Sequence, residues 1–135
     1  MHMSFNDAAE VHRYIGGIFR EAFEDDEIGP RLRATGIVLQ FRFSEPDAVV
    51  VIDTVNSTVT DGTGAARPTA VMSTSADTGN AYWQGKVNLP LAMARGRVKV
   101  EGNVAGLLKL APLGKKLYPR YVDTLKRDGR DDLLI

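Results

Sequence analysis

Trp83–Gly102 reads WQGKVNLPLAMARGRVKVEG, and three different backbones are written into it. Trp83-Gln84-Gly85 has the form of a helix end, with glycine at the position past the last turn. Leu89–Ala94 gives a short apolar helix, started by Asn88 or Leu89 with Pro90 in its first turn and stopped at Gly96. Arg97-Val98-Lys99-Val100-Glu101 then alternates strictly, the pattern of a strand with one packed face and one wet face. Gly102 closes that strand and an apolar-rich helix follows at once. A short helix, a half-buried strand and a long helix in such close order place this stretch at the joint between a sheet and its helical cover.

The chain on either side is built to match. Before the joint, Asn6 or Asp7 caps a first helix, in which Ala8, Val11, Ile15, Ile18, Phe19 and Ala22 form one apolar stripe widened by Phe23. Gly16-Gly17 interrupts it, and the simplest reason is close approach to the sheet. The acidic run Glu24–Glu27 stands at the wrong end for the helix dipole, so the helix ends there. Gly29-Pro30 reads as a connection. Strands are predicted over Gly36–Phe43, with Ile37, Leu39, Phe41 and Phe43 on one face, and over Ala48–Thr54, joined by a turn at Ser44–Asp47. Val49–Ile52 is apolar on both faces, as in a central strand. Asn56–Asp61 is a polar edge strand. Ala65–Pro68 crosses over to a fourth strand at Thr69–Ser75, and Ser75 or Asp77 caps a short helix through Tyr82 and Trp83.

Beyond the joint, Asn103 caps the last helical region, with Val104, Leu107, Leu108 and Ala111 at helical spacing. Leu110, Leu113 and Leu117 lie off that stripe, so the apolar surface is wider than one seam needs. Pro112 and Pro119 are expected to kink or divide the region. Tyr118, Tyr121, Val122 and Leu125 continue it, and a polar tail frays from Lys126 to Asp132. The order predicts an α+β domain over residues 4–127, a five-stranded, mainly antiparallel sheet covered on one face by helices, with residues 128–135 as a C-terminal tail.

Composition removes several functions. The 135 residues hold 17 basic and 17 acidic side chains, so the chain lacks the cationic excess of a nucleic-acid binder. It has no cysteine, which excludes disulfides, thiol nucleophiles and thiolate metal sites. His12 is the one histidine away from the terminus, too few for a zinc site or a Ser-His-Asp triad, and it reads as a helix-flank residue. Glu24–Glu27 reads as a solvated helix end. Gly62-Thr63-Gly64 lacks the rest of a dinucleotide fingerprint. Asp53, alone among apolar residues, either faces solvent or lines a site. No cofactor, metal or catalytic residue is expected. No run is long enough to cross a bilayer and no secretory signal is evident, so a cytoplasmic protein is the expectation; Met1-His2 has the look of an expression scar before Met3. What remains is surplus apolar surface. Met72, Trp83 and Met93, with the off-stripe leucines, suit an adaptable cavity, but by composition alone an ordinary core or a dimer face is the better reading.

Tyr82–Gly102, with its pattern G-K-x-N-x-P-x-A-x-x-x-G-x-x-x-x-x-G, resembles the signature region of the sterol carrier protein-2 (SCP-2, non-specific lipid-transfer) family. Leu107-Leu108-Lys109-Leu110 and Tyr118-Pro119-Arg120-Tyr121 are similar to the same family, and the likeness runs from the Ala8–Phe23 helix to about Leu125. The resemblance implies a helix-covered sheet enclosing an apolar tunnel for sterols, fatty acids, fatty acyl-CoA or other lipids, and with no paired acid/base or nucleophile in the chain no catalytic step is expected. The alternative is an accessory or dimerisation module serving a lipid-metabolising enzyme. Carried onto this chain, the implied lining is Trp83, Leu89, Leu91, Met93, Leu107, Leu110 and Leu117. The chain ends Leu133-Leu134-Ile135, so the family's peroxisomal ending is missing. The expected partners are a lipid or fatty acyl ligand and, in transient contact, an anionic membrane touched by Lys109, Lys115, Lys116, Arg120 and Lys126; the expected state is a monomer or weak homodimer.

Overall fold

The structure, a computed structural model, describes residues 5–64 and 67–135; Met1 and His2, and the start of the crossover at Ala65-Ala66, lie outside the described residues. Its centre is β1 (Val38–Ser44), which pairs antiparallel with β2 (Ala48–Asp53) and parallel with β4 (Ala70–Ser75). β3 (Thr58–Thr60) flanks β2 and β5 (Lys99–Gly102) flanks β4, both antiparallel, giving the order β3-β2-β1-β4-β5. The fold is therefore the expected five-stranded, mainly antiparallel α+β arrangement. The one parallel pairing follows from the crossover. It carries the chain from edge strand β3 back to β1, where Thr69 hooks on through its backbone N–H (2.8 Å to the Val38 carbonyl) and its hydroxyl (3.0 Å from the Val38 N–H).

Period-two alternation sends Ile37, Leu39, Phe41 and Phe43 to one face of the sheet, where they join Val50, Ile52, Ala70 and Met72 in the buried core. The helices cover that face. α1 (Ala8–Val11), capped by the Asp7 carboxylate, widens into a π-turn at His12–Gly16 and resumes as α2 (Gly17–Glu24). The predicted single helix is thus split at its glycines. A Cβ on Gly16 would lie 3.4 Å from Val59 of β3, so the close approach to the sheet is real at this position.

α2 ends at Glu24 as the dipole argument requires, but the connection expected at Gly29-Pro30 is itself a helix, α3 (Ile28–Thr35). Asp25 accepts from the Glu27 and Ile28 N–H groups, each at 2.8 Å, and Pro30 sits in the first turn, where its missing N–H is no loss. α4 (Ala76–Trp83) starts on Ser75, and α5 (Leu89–Ala94) on Asn88. β5 is shorter than its alternation predicts, because the Arg97 and Val98 N–H groups are held by the Ala92 carbonyl at the end of α5.

α6 (Val104–Lys115) runs through Pro112 without breaking; the carbonyl that the proline leaves without its helical donor belongs to Leu108, an exposed residue. The division comes instead at Lys116-Leu117, before α7 (Tyr118–Arg127), with Pro119 in the first turn of α7. The buried face of α6 is Leu107, Leu110 and Gly114, rotated away from the predicted stripe. The tail does not fray: Leu133 is fully buried, and Arg130 bridges Glu10 and Asp132.

Candidate functional site

Between the sheet and its cover, the side chains leave two small apolar voids. One, of about 30 Å³, is enclosed by Phe19 of α2, Leu32 of α3, Leu39 of β1, and Leu107, Leu110 and Gly114 of α6, with Leu117 at its end. The other, of about 10 Å³, lies against Phe43, Val87, Leu89 and Val98. Phe41, Met72, Tyr82 and Trp83 belong to both linings and form the wall between the two voids.

Trp83 is the centre of that wall. It is 3% exposed, at the last turn of α4, and it meets Phe19 edge-on with ring centroids 5.1 Å apart and Tyr118 edge-on at 6.0 Å. A Cβ on Gly114 would stand 3.7 Å from the indole, an ordinary van der Waals contact, so α6 passes beside the ring. A Cβ on Gly79 would come within 2.6 Å of Phe43, so α4 rests on β1 only because that position is glycine. No charged side chain lines either void among the described residues. Burial, and then the neighbouring Tyr118, push the Tyr82 phenol well above its usual range, so it stays a neutral hydroxyl.

Of the residues predicted from sequence, the structure brings Trp83, Leu107, Leu110 and Leu117 to the larger void, and Trp83 and Leu89 to the smaller. Leu91 is 46% exposed and Met93 is half-buried, and neither lines a void. Residues not anticipated as lining include Phe19, Leu32, Leu39, Phe41 and Tyr82. Period-two alternation was signal enough for Leu39 and Phe41. Leu32 was hidden by reading Gly29-Pro30 as a loop.

The cover is fastened by charge. Lys116 Nζ lies 2.6 Å from Glu27, and Arg120 is ion-paired with Asp25, so the α6–α7 junction is tied to the α2–α3 loop. The backbone N–H of Ile28, the Arg120 guanidinium and the N–H of Glu27 hold the Asp25 carboxyl down at about 2. These acids are cap and latch, and two of the five cations assigned to membrane contact are already partnered.

The other sequence candidates have structural roles. Burial pushes the Asp53 carboxyl up, but donors from Asn56 and Val55 outweigh it and hold it low, so this acid closes a turn. His12 Nε2 lies 2.7 Å from the Val49 carbonyl, beyond the part of β2 that β3 covers. No group of three or more His, Cys, Asp or Glu is placed to hold a metal among the described residues.

Residues 18–115 match the profile of the SCP-2 sterol transfer family, more than half of the chain. The chain belongs to that family. Solved SCP-2 structures share its fold. The sterol carrier protein domain 2 of Helicoverpa armigera superposes with a TM-score of 0.68 at 23% identity, covering 88% of this chain and 95% of that one. Sterol carrier protein 2 of Yarrowia lipolytica, in its apo form, gives 0.66 at 16% identity, covering 87% and 98%. The SCP-2 of Aedes aegypti, solved in complex with palmitate, gives 0.55 at 20% identity, covering 83% and 96%. No curated protein matches the sequence. In this SCP-2 chain, as the local pattern of Trp83–Gly102 predicts, the signature stretch supplies the end of α4, all of α5 and β5.

Proposed function

We propose that this SCP-2 protein binds the apolar part of a lipid between its sheet and helices α2, α3 and α6, and transfers it between membranes or to an enzyme without making or breaking a bond. The observation that carries the reading is the pair of voids separated only by side chains. Movement of Trp83, Tyr82, Met72 and Phe41 would join them into one channel lined by carbon, and burial of an acyl chain there gains about 25 cal/mol per Å² of apolar surface removed from water. Small-molecule sites occupy roughly 300–1,000 Å³. The channel must therefore open as cargo enters, and the break between α6 and α7 is where the cover can part.

The Aedes aegypti relative, solved with palmitate, supports acyl chains as cargo; sterols and fatty acyl-CoA are the further cargo proposed. No described helix is long and apolar enough to cross a membrane. A cytoplasmic location, and a monomer or weak homodimer, complete the proposal.

The test is titration of delipidated protein with a fluorescent C16 fatty acid and a fluorescent sterol, followed by transfer of the bound probe to vesicles. Saturable one-to-one uptake of either probe is expected. A folded protein that takes up neither would remove the cavity, and leave docking or dimerisation through exposed Leu91 and Leu108 to be tested by light scattering.

A further inference from the structure

The charges of this chain are unevenly placed. Between Asp77 and Asp123 there are eight basic residues against a single acid, Glu101, while the rest of the sequence holds nine against sixteen. The balanced total therefore hides a cationic segment, which runs from α4 into α7. Within it, Lys116 and Arg120 are neutralised by Glu27 and Asp25. Lys86, Arg95, Arg97 and Lys99, on either side of α5, form no ion pair with any described residue.

At α5 that charge meets exposed apolar surface. From Pro90 to Arg97 the exposed residues are Pro90, Leu91, Ala94, Arg95, Gly96 and Arg97, with no acid and no neutral polar side chain among them. Leu91, Ala94 and Arg95 share one face of the helix, at i, i+3 and i+4. The opposite side is anchored. Leu89, Ala92 and Val98 are buried, Asn88 accepts from the Leu91 N–H at 3.1 Å, and the Ala92 carbonyl accepts from the Arg97 N–H at 2.9 Å. Leu91 is thus held outward, 46% exposed, on a short capped helix. An exposed leucine by itself is ordinary. A leucine between proline and alanine, rimmed by unpaired arginines, joins apolar contact to attraction for anionic lipid, which is the composition of an interfacial element.

We infer that the tip Pro90–Arg97 is the surface by which this protein meets an anionic membrane, Leu91 entering the acyl boundary while Arg95 and Arg97 bind lipid phosphates. This places the contact on α5 and the turn after it, and not on the lysines of α6 and α7. Leu89 and Val98, on the inner side of the same element, line the smaller void, so docking sets that void one short helix away from the bilayer. The inference rests on the transfer reading above for its purpose, though not for the contact itself. Each cation close to an anionic surface is worth roughly fivefold in partitioning. Burying the exposed part of one leucine adds about three- to tenfold. The contact is therefore a reversible one, as a carrier that must leave its membrane requires.

The experiment measures cosedimentation with vesicles of phosphatidylcholine alone and of phosphatidylcholine mixed with phosphatidylserine, and palmitate uptake by the same proteins. It compares the wild type, Leu91→Gln, Arg95→Gln/Arg97→Gln, and Lys115→Gln/Lys126→Gln as a charge-matched control on α6 and α7. The wild type and the control should bind the mixed vesicles and lose most of that binding at 0.5 M salt, roughly where the screening length falls below 5 Å. Arg95→Gln/Arg97→Gln should weaken the binding by roughly twentyfold, the product of two cations. Leu91→Gln should weaken it by about three- to tenfold. Palmitate uptake should be the same in all four. The chain has no cysteine, so Leu91→Cys carrying an environment-sensitive dye reports insertion directly, and its emission should shift to the blue on mixed vesicles. Full vesicle binding by both tip variants, or an equal loss in the lysine control, overturns the inference. So does a wild type that binds no vesicle, a result that would turn the tip towards an acidic protein surface instead. Vesicle binding without palmitate uptake removes the cavity reading and leaves the membrane contact standing.

Discussion

Trp83 stands edge-on to Phe19, with 5.1 Å between ring centroids and 85° between planes, and this contact joins the end of α4 to α2 across the sheet's covered face. Edge-to-face pairs contribute about 0.5–1.5 kcal/mol beyond the area they bury. That is strong enough to keep the wall between the two voids closed, and weak enough for a lipid tail to displace it.

The first prediction uses Trp83 as its own reporter, since it is the single tryptophan of the chain. Lipid uptake should change its emission as the indole leaves Phe19 and Tyr118. Trp83→Ala should lose about 3–5 kcal/mol of stability, as large aromatic truncations in cores do. That loss should be smaller in the presence of a saturating acyl ligand, because the ligand binds only the folded state and fills the enlarged space. Denaturation midpoints with and without ligand check this; an equal loss under both conditions would place Trp83 outside the binding space.

The second concerns α6. Leu107→Asp or Leu110→Asp should abolish acyl uptake, because a carboxylate facing a space lined by carbon carries a desolvation cost of several kcal/mol. Leu91→Asp, at a site 46% exposed, should bind as the wild type does. Circular dichroism on all three variants separates lost uptake from lost fold, and a folded Leu110→Asp that still binds an acyl chain would contradict the assignment.

The same residues show how far the sequence could be read. Strand alternation at Ile37–Phe43, the cap at Asn88 and the glycine after Trp83 were each legible, because a backbone period or a cap leaves a local mark. The α3 helix was not. Gly29-Pro30 is a turn signal by local rules, and only the Asp25 carboxylate accepting two N–H groups ahead of it turns the pair into a helix start. The tail was misread for a similar reason. Its polar residues were visible, but the buried partners of Leu133 on α4 are about fifty positions away and leave no periodicity. For the site, leucine surplus pointed to the right helices; which leucines face inward depended on the rotation of α6 against β1 and α3, which a wide apolar stripe does not fix.

The third prediction tests the latch. The Asp25 carboxyl is held at about 2, below its unreacted value of 3.8, so its contribution to stability is complete above roughly pH 4. The contribution falls away as pH drops from there through about 2, where the folded carboxyl takes up its proton. Asp25→Asn should therefore be less stable than the wild type near neutrality, and the gap should narrow below pH 4. Urea midpoints of both proteins from pH 7 to pH 2.5 check the sign; a gap that widens on acidification would exclude it. Glu27→Gln, which releases Lys116, should speed acyl uptake if parting of the α6–α7 junction from the α2–α3 loop limits the rate, with stopped-flow rates converging on those of the wild type at high salt.

The last prediction concerns the C-terminal segment. Asn80 and Gln84 lie one turn apart on α4, both buried, and both donate to the Leu133 carbonyl, at 2.8 Å and 2.9 Å. Gln84 also accepts from the Ile135 N–H at 2.9 Å, and the Tyr121 hydroxyl donates to Asn80 at 2.6 Å. Burial drives the Tyr121 phenol well above its usual range, so it remains a donor at any pH the fold survives. The network fastens the segment after α7 to α4, the helix that ends in Trp83. Gln84→Leu removes two donors and an acceptor and leaves the Leu133 carbonyl with one partner. Lost buried hydrogen bonds of this kind cost about 1–3 kcal/mol. Truncation after Arg130 goes further, removing the buried Leu133 side chain and uncovering the apolar surface beneath it. Hydrogen exchange is the discriminating measurement. In Gln84→Leu, protection should fall at Leu133–Ile135 and along α7 while the amides of β1 and β2 stay slow, because the central strands are held by pairings that do not involve the tail. Uniform loss of protection through β1 would show instead that the tail and the sheet unfold as one unit, and the segment would then be part of the core rather than a strap across it.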